Sequence, residues 1–407
     1  MVESMATSEF PVPLRGARAK TLLWAHEHEI EQSALKQLRT IADMPWVHGL
    51  RVMPDVHFGK GATVGSVIAM KQAVSPAAVG VDIGCGVVAT KTNLTVSDLE
   101  RLPALRARLE NKIPVSHYGH DKPVNVRRLG LDRGWDKFWG AYGDLHRDAR
   151  QLESRAMQQM GTLGGGNHFI EVCSDEAGAV WLTLHSGSRN IGKSLAERHI
   201  DIARGLSHNK SLVDIDLAVF LAGSPEMVAY RHDLMWAQEY ALRSRGVMMA
   251  LFKEAVREHF PTLDVKFDPD INVHHNYVSE EVIDGEQMLV TRKGAIRATK
   301  GELALIPGSM GTGSYVVRGL GNDASFQSAS HGAGRRLSRN KAKEAFRGED
   351  EGASEIAKQL GNIESRRDAG ILDELPKAYK DLHAVIAAQS ELVEPVAHLT
   401  TLLCVKG

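Results

Sequence analysis

Asp82 and Cys85 lie three residues apart in the stretch GVDIGCG, residues 80–86, with glycines on both sides of each. Glycine lets the backbone curl tightly, so a carboxylate and a thiol can face the same point in space. A lone cysteine is more often a small buried residue than a ligand. Carboxylates and thiolates both bind metal ions, however, and the pair raises the hypothesis of a metal site.

Histidines at the mouths of other loops supply candidate partners for this pair. His168 follows the glycine run GGGN, His185 ends the apolar run VWLTL, and His274 and His275 lie in NVHHNY. Together with the Asp–Cys pair they exceed the three protein ligands of a typical catalytic zinc site. The set suits two ions bridged by the thiolate, as in phosphoryl-transfer enzymes. Ligand softness favours zinc and a carboxylate suits manganese, so these residues leave the metal open.

Two further loops indicate phosphate chemistry. The stretch SASHGAGRR, residues 328–336, places His331 between small residues that let a phosphate approach, with Arg335 and Arg336 to supply charge. This histidine is a candidate nucleophile or acid–base group. The loop PGSMGTGS, residues 307–314, offers backbone N–H groups suited to oxyanions.

A third loop favours a different interpretation. Residues 187–194, GSRNIGKS, match the phosphate-binding P-loop pattern in full, between an apolar run and a helical stretch. We find no apolar strand ending in Asp that would hold Mg²⁺ for such a loop. His185 also stands directly before it, where the metal hypothesis needs a ligand. A P-loop nucleotide hydrolase is the alternative function.

Composition predicts a globular protein of a reducing compartment. The 407 residues carry 49 basic and 50 acidic side chains, and three cysteines cannot form a disulfide framework. The first twenty residues lack the apolar core of a signal peptide, and no stretch reaches the roughly 20 apolar residues of a membrane span. We therefore predict a cytoplasmic protein. Basic residues beside the glycine loops indicate a polyanionic partner, either nucleotide or RNA.

The elements that must position these loops mix helices and strands. The glycine loops are scattered from residue 55 to 335, which favours one interwoven α+β domain over residues 1–407. Short strands broken by glycine are predicted from residue 50, and residues 113–137 are predicted to be an irregular surface insertion. Apolar periodicity predicts helices over residues 27–44, 139–160, 226–259, 335–346 and 376–398.

Taken together, the motifs resemble the RtcB family of RNA ligases in type, order and spacing, over nearly the whole chain. They are PDVHFGKG (54–61), PAAVGVDIGCG (76–86), GTLGGGNHFIEV (161–172), LHSGSR (184–189), HHNYV (274–278), TRKGA (291–295), IPGSMG (306–311), YVVRGLGN (315–322), SHGAGR (330–335), AYKD (378–381) and LCVKG (403–407).

The resemblance implies a fold and a reaction. The fold would be a single α+β catalytic domain, with mixed β-sheets and glycine-rich loops around a dinuclear metal cleft. The reaction would join an RNA 2′,3′-cyclic phosphate or 3′-phosphate end to a 5′-hydroxyl end, in tRNA splicing or RNA repair. It would use GTP and two Mn²⁺ ions and pass through a guanylylated histidine. An enzyme that transfers GMP to an RNA end without sealing it is a further alternative. Whether an activating protein factor is needed stays open.

The resemblance also implies residue roles. The nucleophile would be His331, and Cys85 would bridge both ions. Asp82 and His168 would bind one ion, and His185 and His275 the other. RNA contacts are expected at Arg189 and Arg335, and Lys193 of the P-loop match becomes incidental. Guanylate contacts are expected at Asn167, His168, Phe169, Ile170, Glu171, Asn276, Pro307, Gly308, Ser309, Met310, Ser314, His331, Gly332, Ala333, Gly334 and Lys406.

Overall fold

The computed structural model describes residues 9–407, so residues 1–8 of the predicted domain and N-terminal stretch lie outside it. Its strands are β1 (Val12–Pro13), β2 (Lys20–Leu23), β3 (Val47–His57), β4 (Val64–Met70), β5 (Ala73–Val74), β6 (Gly86–Thr95), β7 (Phe169–Ser174), β8 (Ala179–Ser186), β9 (Phe220–Leu221), β10 (Ile271–His274), β11 (Asn276–Ile283), β12 (Glu286–Lys293), β13 (Ala295–Arg297), β14 (Leu303–Pro307), β15 (Ser314–Gly319), β16 (Ser328–Ser330) and β17 (Val393–Lys406).

The α-helices are α1 (Gln32–Ala42), α2 (Pro76–Val79), α3 (Leu102–Lys112), α4 (Trp135–Gly140), α5 (Arg147–Arg150), α6 (Glu153–Gln159), α7 (Arg189–Gly205), α8 (Pro225–His259), α9 (Arg339–Arg347), α10 (Ala353–Leu360) and α11 (Leu382–Ala387). Short 3₁₀ helices cover Glu27–Glu29, Val96–Asp98, Ala141–Asp144, Ser207–Asn209, Ile215–Leu217, Asp323–Ser325, Ala369–Glu374 and Pro376–Ala378. Within residues 9–407, no helix is long and apolar enough to cross a membrane.

Two large sheets organise the fold, which confirms the α+β prediction. A seven-stranded antiparallel sheet has the order β10-β6-β8-β7-β17-β15-β14. A six-stranded sheet has the order β1-β2-β3-β4-β12-β11, in which β2 and β3 are parallel and the other pairs antiparallel. The pairs β13-β16 and β5-β9 form two small additional sheets.

Helix α8 provides much of the largest apolar core. Its start is fixed by Ser224, whose Oγ accepts a hydrogen bond from the Met227 N–H, and by Pro225 at the first helical position. The 35-residue helix buries Trp236 and Tyr240 among the apolar side chains of β7, β8 and α3. The prediction of a long helix over residues 226–259 is therefore confirmed.

Three other helix predictions need correction. The helix predicted over 27–44 is confined to α1, after a separate 3₁₀ turn, although its predicted apolar face is buried. The stretch 139–160 is broken into short pieces, because Gly140 and Gly143 weaken a continuous helix and His146 caps a new one. Residues 376–398 are helical only in part, and from Val393 they enter β17, where pairing with β15 overrides the local pattern.

The P-loop interpretation is wrong as a structural prediction. Helix α7 begins at Arg189, so Lys193 lies within its second turn and is not part of a phosphate-wrapping loop. The Gly192 N–H donates to the Ser188 carbonyl, and Lys193 pairs with the exposed Glu197 at 3.7 Å. From Gly192 onward, the backbone N–H groups of this stretch point along the helix and are not available to wrap a phosphate.

The segment predicted as a surface insertion has no helix or strand before Trp135, as expected. It is nevertheless fixed to the protein body. The Ser116 N–H donates to the Gly164 carbonyl at 2.8 Å, and the Leu163 N–H donates to the Pro114 carbonyl at 2.9 Å. These bonds join the segment to the loop that precedes His168.

Candidate active site

Three of the five predicted metal ligands form a buried cluster. Donor atoms of Cys85, His168 and His185 all lie within 4.8 Å of one another. The Cys85 Sγ is 3.5 Å from the His168 Nε2 and 3.2 Å from the His185 Nε2. A thiol held between two imidazoles can serve two adjacent metal ions.

The other two predicted ligands extend this cluster at its ends. The Asp82 Oδ2 is 3.1 Å from the His168 Nε2, and the His185 Nε2 is 3.2 Å from the His275 Nε2. The five donor atoms therefore follow one another as Asp82, His168, Cys85, His185 and His275. The structure thus brings together every residue predicted as a ligand.

Four of these side chains lie where the ends of neighbouring antiparallel strands meet, on one side of the seven-stranded sheet. Cys85 directly precedes β6, His168 directly precedes β7, and His185 is next to last in β8. His275 directly follows β10, which pairs with β6. Because β6, β7, β8 and β10 are neighbours, their ends meet and the ligands converge.

Arg245 on α8 holds two of the ligand loops, and no motif had indicated it. Its fully buried guanidinium donates from Nη1 to the Gly84 carbonyl at 2.6 Å and to the Ser186 carbonyl at 3.1 Å. These carbonyls flank Cys85 and His185 in sequence. Burial lowers the pKa of Arg245 to about 10, which leaves it charged at neutral pH. The long helix therefore helps to orient the cluster.

The hydrogen bonds of the histidines leave their Nε2 atoms facing the cluster. The His168 Nδ1 is 2.9 Å from the Leu163 carbonyl, and the His185 Nδ1 is 3.3 Å from the Asn167 carbonyl. A carbonyl accepts, so Nδ1 carries the proton and Nε2 has a free lone pair. Burial lowers the pKa of both His185 and His275 well below the ordinary value, which favours neutral imidazoles.

The acidic members of the cluster have opposite pKa shifts. Burial and the neighbouring Asp82 raise the pKa of the Cys85 thiol well above its usual value. For Asp82 burial acts in the same upward direction, but the hydrogen bond and charge of His168 outweigh it and lower its pKa. A cation between these groups would favour the thiolate. Oxygen, nitrogen and sulfur donors that follow one another with the thiol in the middle fit a pair of divalent ions.

His331 lies beside this cluster and is oriented by a residue that the sequence analysis did not single out. Its Nδ1 is 2.6 Å from the Oδ2 of Asp55, which is fully buried on β3. The His331 N–H also donates to the same carboxylate oxygen at 3.2 Å. The His275 and His331 ring centroids are 4.8 Å apart. The Asp55 contact leaves the His331 Nε2 free. Asp55 lies in the motif PDVHFGKG, but the motif did not indicate its partner.

A cavity of about 310 Å³ connects the cluster with the predicted guanylate residues, and we call it the guanylate cavity. Two of the predicted guanylate residues, His168 and Ile170, do not line this cavity. His168 faces a neighbouring cavity, while Ile170 points into the core because alternate residues of β7 face opposite sides. The predicted residues that do line it are Asn167, Phe169, Glu171, Asn276, Pro307, Gly308, Ser309, Met310, Ser314, His331, Gly332, Ala333, Gly334 and Lys406.

A second buried acid organises the far end of the guanylate cavity. Glu374 accepts from the Lys406 Nζ at 2.9 Å and from the Arg335 Nη2 at 2.6 Å. It also accepts from the Arg339 Nη1 and the Tyr379 hydroxyl, at 2.8 and 2.6 Å. Burial raises the pKa of Glu374, but the three cations outweigh this and bring it to about 2. The predicted RNA contact Arg335 is thus part of an internal ion network.

Glu171 has the opposite shift in the same cavity. Burial raises its pKa to about 7, although Lys406 acts to lower it. A carboxyl with such a pKa exchanges its proton near neutral pH. It is suited to hydrogen-bonding the edge of a base, since it can accept when ionised and donate when protonated.

The predicted RNA contact Arg189 lines a different cavity. Its Nη2 donates to the Ser116 carbonyl at 2.6 Å, and its Nε donates to the Thr162 hydroxyl at 3.1 Å. This cavity measures about 350 Å³ and also includes Asp82 and His168, so it adjoins the ligand cluster from another side. We call it the lateral cavity.

Comparison with known proteins agrees with this arrangement. The family model described as "tRNA-splicing ligase RtcB" matches residues 37–407. The chain is 43% identical over 412 residues to the RNA-splicing ligase RtcB of Escherichia coli (strain K12), covering 96% of this chain and 98% of the relative. It is 34% identical to the RNA-splicing ligase RtcB of Mycobacterium tuberculosis (strain ATCC 25618 / H37Rv), covering 91% and 100%.

An archaeal relative shows the same full-length correspondence. The tRNA-splicing ligase RtcB of Methanococcus maripaludis is 29% identical over 445 residues, which cover 93% of this chain and 92% of the relative. The matches extend along the strands and loops that carry the ligand cluster and His331. The family resemblance of the motifs is therefore confirmed, and the chain belongs to the RtcB family.

Proposed function

We propose that this protein is a GTP- and Mn²⁺-dependent RNA ligase. It joins RNA 2′,3′-cyclic phosphate or 3′-phosphate ends to 5′-hydroxyl ends, in tRNA splicing or RNA repair. Its relatives are named RNA-splicing and tRNA-splicing ligases, which supports ligation of RNA as the activity. The observation that carries the finer reaction is the position of His331, held by Asp55 beside five convergent metal donors at the guanylate cavity.

The five donors fit two ions. Asp82 and His168 would hold one, His185 and His275 the other, and the Cys85 sulfur would contact both. When bound, the ions would neutralise phosphate charge and orient the phosphate groups for in-line displacement. The choice of manganese comes from the family resemblance, since the mixed donors themselves do not distinguish it from zinc.

His331 acts as the nucleophile in the first step. With its Nδ1 proton held by Asp55, the Nε2 lone pair attacks the α-phosphorus of GTP. A nitrogen–phosphorus bond forms, the bond to the bridging oxygen breaks, and pyrophosphate leaves with the electron pair. The Asp55 carboxylate balances the positive charge that develops on the imidazole ring, as an aspartate does beside a catalytic histidine.

The later steps regenerate the histidine. A 2′,3′-cyclic phosphate is first opened by water, which breaks the bond to the 2′ oxygen and leaves a 3′-phosphate and a 2′-hydroxyl. An oxygen of the RNA 3′-phosphate then attacks the guanylyl phosphorus, and the nitrogen–phosphorus bond to His331 breaks. The 5′-hydroxyl oxygen of the second RNA end then attacks the 3′-phosphorus, its proton passes to solvent, and GMP leaves. Lys406 and Glu171 would contact the guanine base, and residues of the loop from Pro307 to Ser314 would contact phosphate; their shared position in the wall of the guanylate cavity supports this.

The domain organisation, the cell compartment and the RNA substrate complete the proposed function. The chain works as one catalytic domain, because the seven-stranded sheet combines strands from residue 86 to residue 406. Three free cysteines support a reducing, cytoplasmic location. RNA with the two kinds of end is the substrate. A requirement for an activating protein factor would appear as slow ligation by the purified protein that becomes faster when a cell extract is added.

The decisive experiment is covalent labelling. The protein is incubated with GTP labelled at the α-phosphate, with and without Mn²⁺, and then denatured. We expect Mn²⁺-dependent label on the chain that is lost in His331→Ala. The matched control is His48→Ala, which removes a histidine paired with Asp284 outside the guanylate cavity.

Two results would contradict this function. Label retained in His331→Ala would move the nucleophile elsewhere. Absence of label with release of γ-phosphate would indicate a nucleotide hydrolase. Products from an RNA carrying both ends would then separate sealing from the capping alternative, since capping leaves GMP on an unjoined 3′ end.

A further inference from the structure

The lateral cavity has a chemical character of its own. Among the described residues, Asp82 is the one common to its lining and that of the guanylate cavity. The lateral cavity therefore reaches the ligand cluster from a direction that a bound guanylate leaves open. A second reactant could approach the same ions through it.

Its rim is cationic. Arg155 and Lys193 are exposed at the rim and Arg189 is half-buried in the wall, while Asp82 is the sole carboxylate among the described lining residues. Arg155 has no acidic partner within ion-pair distance in residues 9–407. Lys193 pairs with Glu197, but both side chains are more than half exposed, so this pair contributes little. Both cations are accessible to an anionic ligand.

An exposed aromatic pair adjoins these cations. The ring centroids of His117 and Tyr118 are 4.3 Å apart with planes inclined by 31°, and Tyr118 is 61% exposed. His117 lines the lateral cavity itself. A large aromatic ring held at the surface beside cations is the combination with which proteins bind single-stranded nucleic acid, because any base can stack on it.

Hydrogen bonds hold this pair in place. The Gln159 Nε2 donates to the His117 carbonyl at 3.3 Å, and the His120 N–H donates to the Gln158 carbonyl at 2.9 Å. Arg189 and Gly164 bind the two polar groups of the Ser116 backbone. The aromatic pair is thus attached both to α6 and to the loop before His168, at a fixed position relative to the ligand cluster.

We propose that His117, Tyr118, Arg155 and Lys193 form a binding surface for the RNA strand that ends in a phosphate. A base near the 3′ end stacks on Tyr118 and His117, and backbone phosphates contact Arg155 and Lys193. The terminal phosphate then lies in the lateral cavity beside the ligand cluster. The guanidinium of Arg189 in the wall of this cavity favours the strand with the terminal phosphate over the one that ends in a 5′-hydroxyl. This assignment rests on the proposed function.

The test measures binding of a fluorescent single-stranded RNA of about 12 nucleotides with a 3′-phosphate, by anisotropy and without GTP. We expect Tyr118→Ala to weaken binding roughly 5- to 150-fold and Tyr118→Phe to retain it, because stacking needs the ring and not the hydroxyl. Arg155→Ala and Lys193→Ala should each reduce the slope of log affinity against log salt by about 0.7.

The matched cation control is Lys300→Ala, an exposed lysine outside both cavities, which should leave affinity and slope unchanged. Equal binding by Tyr118→Ala and the unaltered chain would overturn the stacking surface. Equal slopes in Arg155→Ala and Lys193→Ala would overturn the phosphate contacts. An RNA ending in a 3′-hydroxyl that binds as tightly would refute the choice of strand.

A parallel assay separates this surface from the ligase reaction. Each variant is also labelled with GTP at His331. Normal labelling with weak RNA binding supports the surface. If the unaltered chain takes no label and yet the substitutions weaken RNA binding, the proposed function fails while the surface stands.

Discussion

The hydrogen bond between His331 and Asp55 determines which imidazole nitrogen can react. A carboxylate that accepts from Nδ1 fixes the tautomer with a free lone pair on Nε2, and at 2.6 Å the bond is short. Asp55 is fully buried, and its Oδ1 has no hydrogen-bond partner within residues 9–407. Asp55 is therefore proposed as a positioning residue, whose exchange would alter the proposed nucleophile without removing a proposed metal donor.

Asp55→Asn tests this role. The amide can present an N–H to Nδ1 and thereby favour the wrong tautomer, so labelling of His331 by GTP should slow by roughly 10²- to 10⁴-fold. Mn²⁺ binding, followed by the electron paramagnetic resonance of the ion, should be unchanged. A labelling rate within a few-fold of that of the unaltered chain would exclude an orienting role.

Some residues of the site could be predicted from the sequence, and others could not. Asp82, Cys85, His168 and His185 were proposed as donors from their positions in or beside glycine-containing loops, whereas the choice of His275 over His274 came from the family resemblance. Asp55 was missed because its partner is 276 positions away, and no local pattern records such a pairing. Arg245 was missed for the same reason, since a basic residue on a long helix looks like an ordinary exposed one.

At the scale of elements, the loop before β7 contacts the Ser116 backbone, Arg189 and His168. Its Gly164 has φ +93° and accepts the Ser116 N–H, while Arg189 and His168 pack against its α-carbon. A β-carbon there would lie 2.1 Å from the Arg189 Nη1 and 2.7 Å from the His168 Nδ1. The loop therefore requires glycine for both conformation and space.

Gly164→Ala should lower Mn²⁺ affinity by about 10- to 100-fold, because it displaces the hydrogen bond that orients His168. Gly178→Ala is the matched control. Gly178 also has a positive φ, +79°, but open space around its α-carbon, so the variant should lose only about 1 kcal/mol of unfolding free energy. Equal metal affinity in the two variants would show that the clash at Gly164 is absorbed elsewhere.

Elements were predicted well where periodicity was long and poorly where tertiary pairing decided the outcome. The 35 residues of α8 are an example of the first case. In the first part of β17, Glu394 and Pro395 gave no strand signal, and pairing with β15 imposes the extended conformation. The P-loop pattern failed because it describes residue types and cannot report that α7 has already begun.

For the whole molecule, Glu374 connects parts of the chain that are remote in sequence. It binds Arg335 after β16, Arg339 at the start of α9 and Lys406 at the end of β17. Its pKa is about 2 in the folded protein, below its ordinary value of 4.5. The unfolded chain binds more protons between these values, so this stabilisation is present above pH 4.5 and is lost as pH falls towards 2.

Glu374→Gln should therefore lower the free energy of unfolding at neutral pH by an amount on the order of 3 kcal/mol. The difference from the unaltered chain should shrink as pH falls from about 4.5 to 2, as measured by urea denaturation. Glu344→Gln, an exposed carboxylate on α9, is the control. A difference that is constant across this pH range would mean that the ion network does not stabilise the fold.

The proposed metal donors lie together where the ends of several strands meet, and this has a consequence for biosynthesis. Asp82 is the first donor to be translated, and His275 is the last, almost two hundred residues later. Strand β7, which directly follows His168, pairs with β17, so support for this donor comes from residues made more than two hundred positions later. A partly synthesised chain thus holds an incomplete set of donors without its supporting sheet. Because a metal site needs all of its ligands in place, we expect the proposed donors to bind metal tightly only after His275 has been made and the sheet has formed.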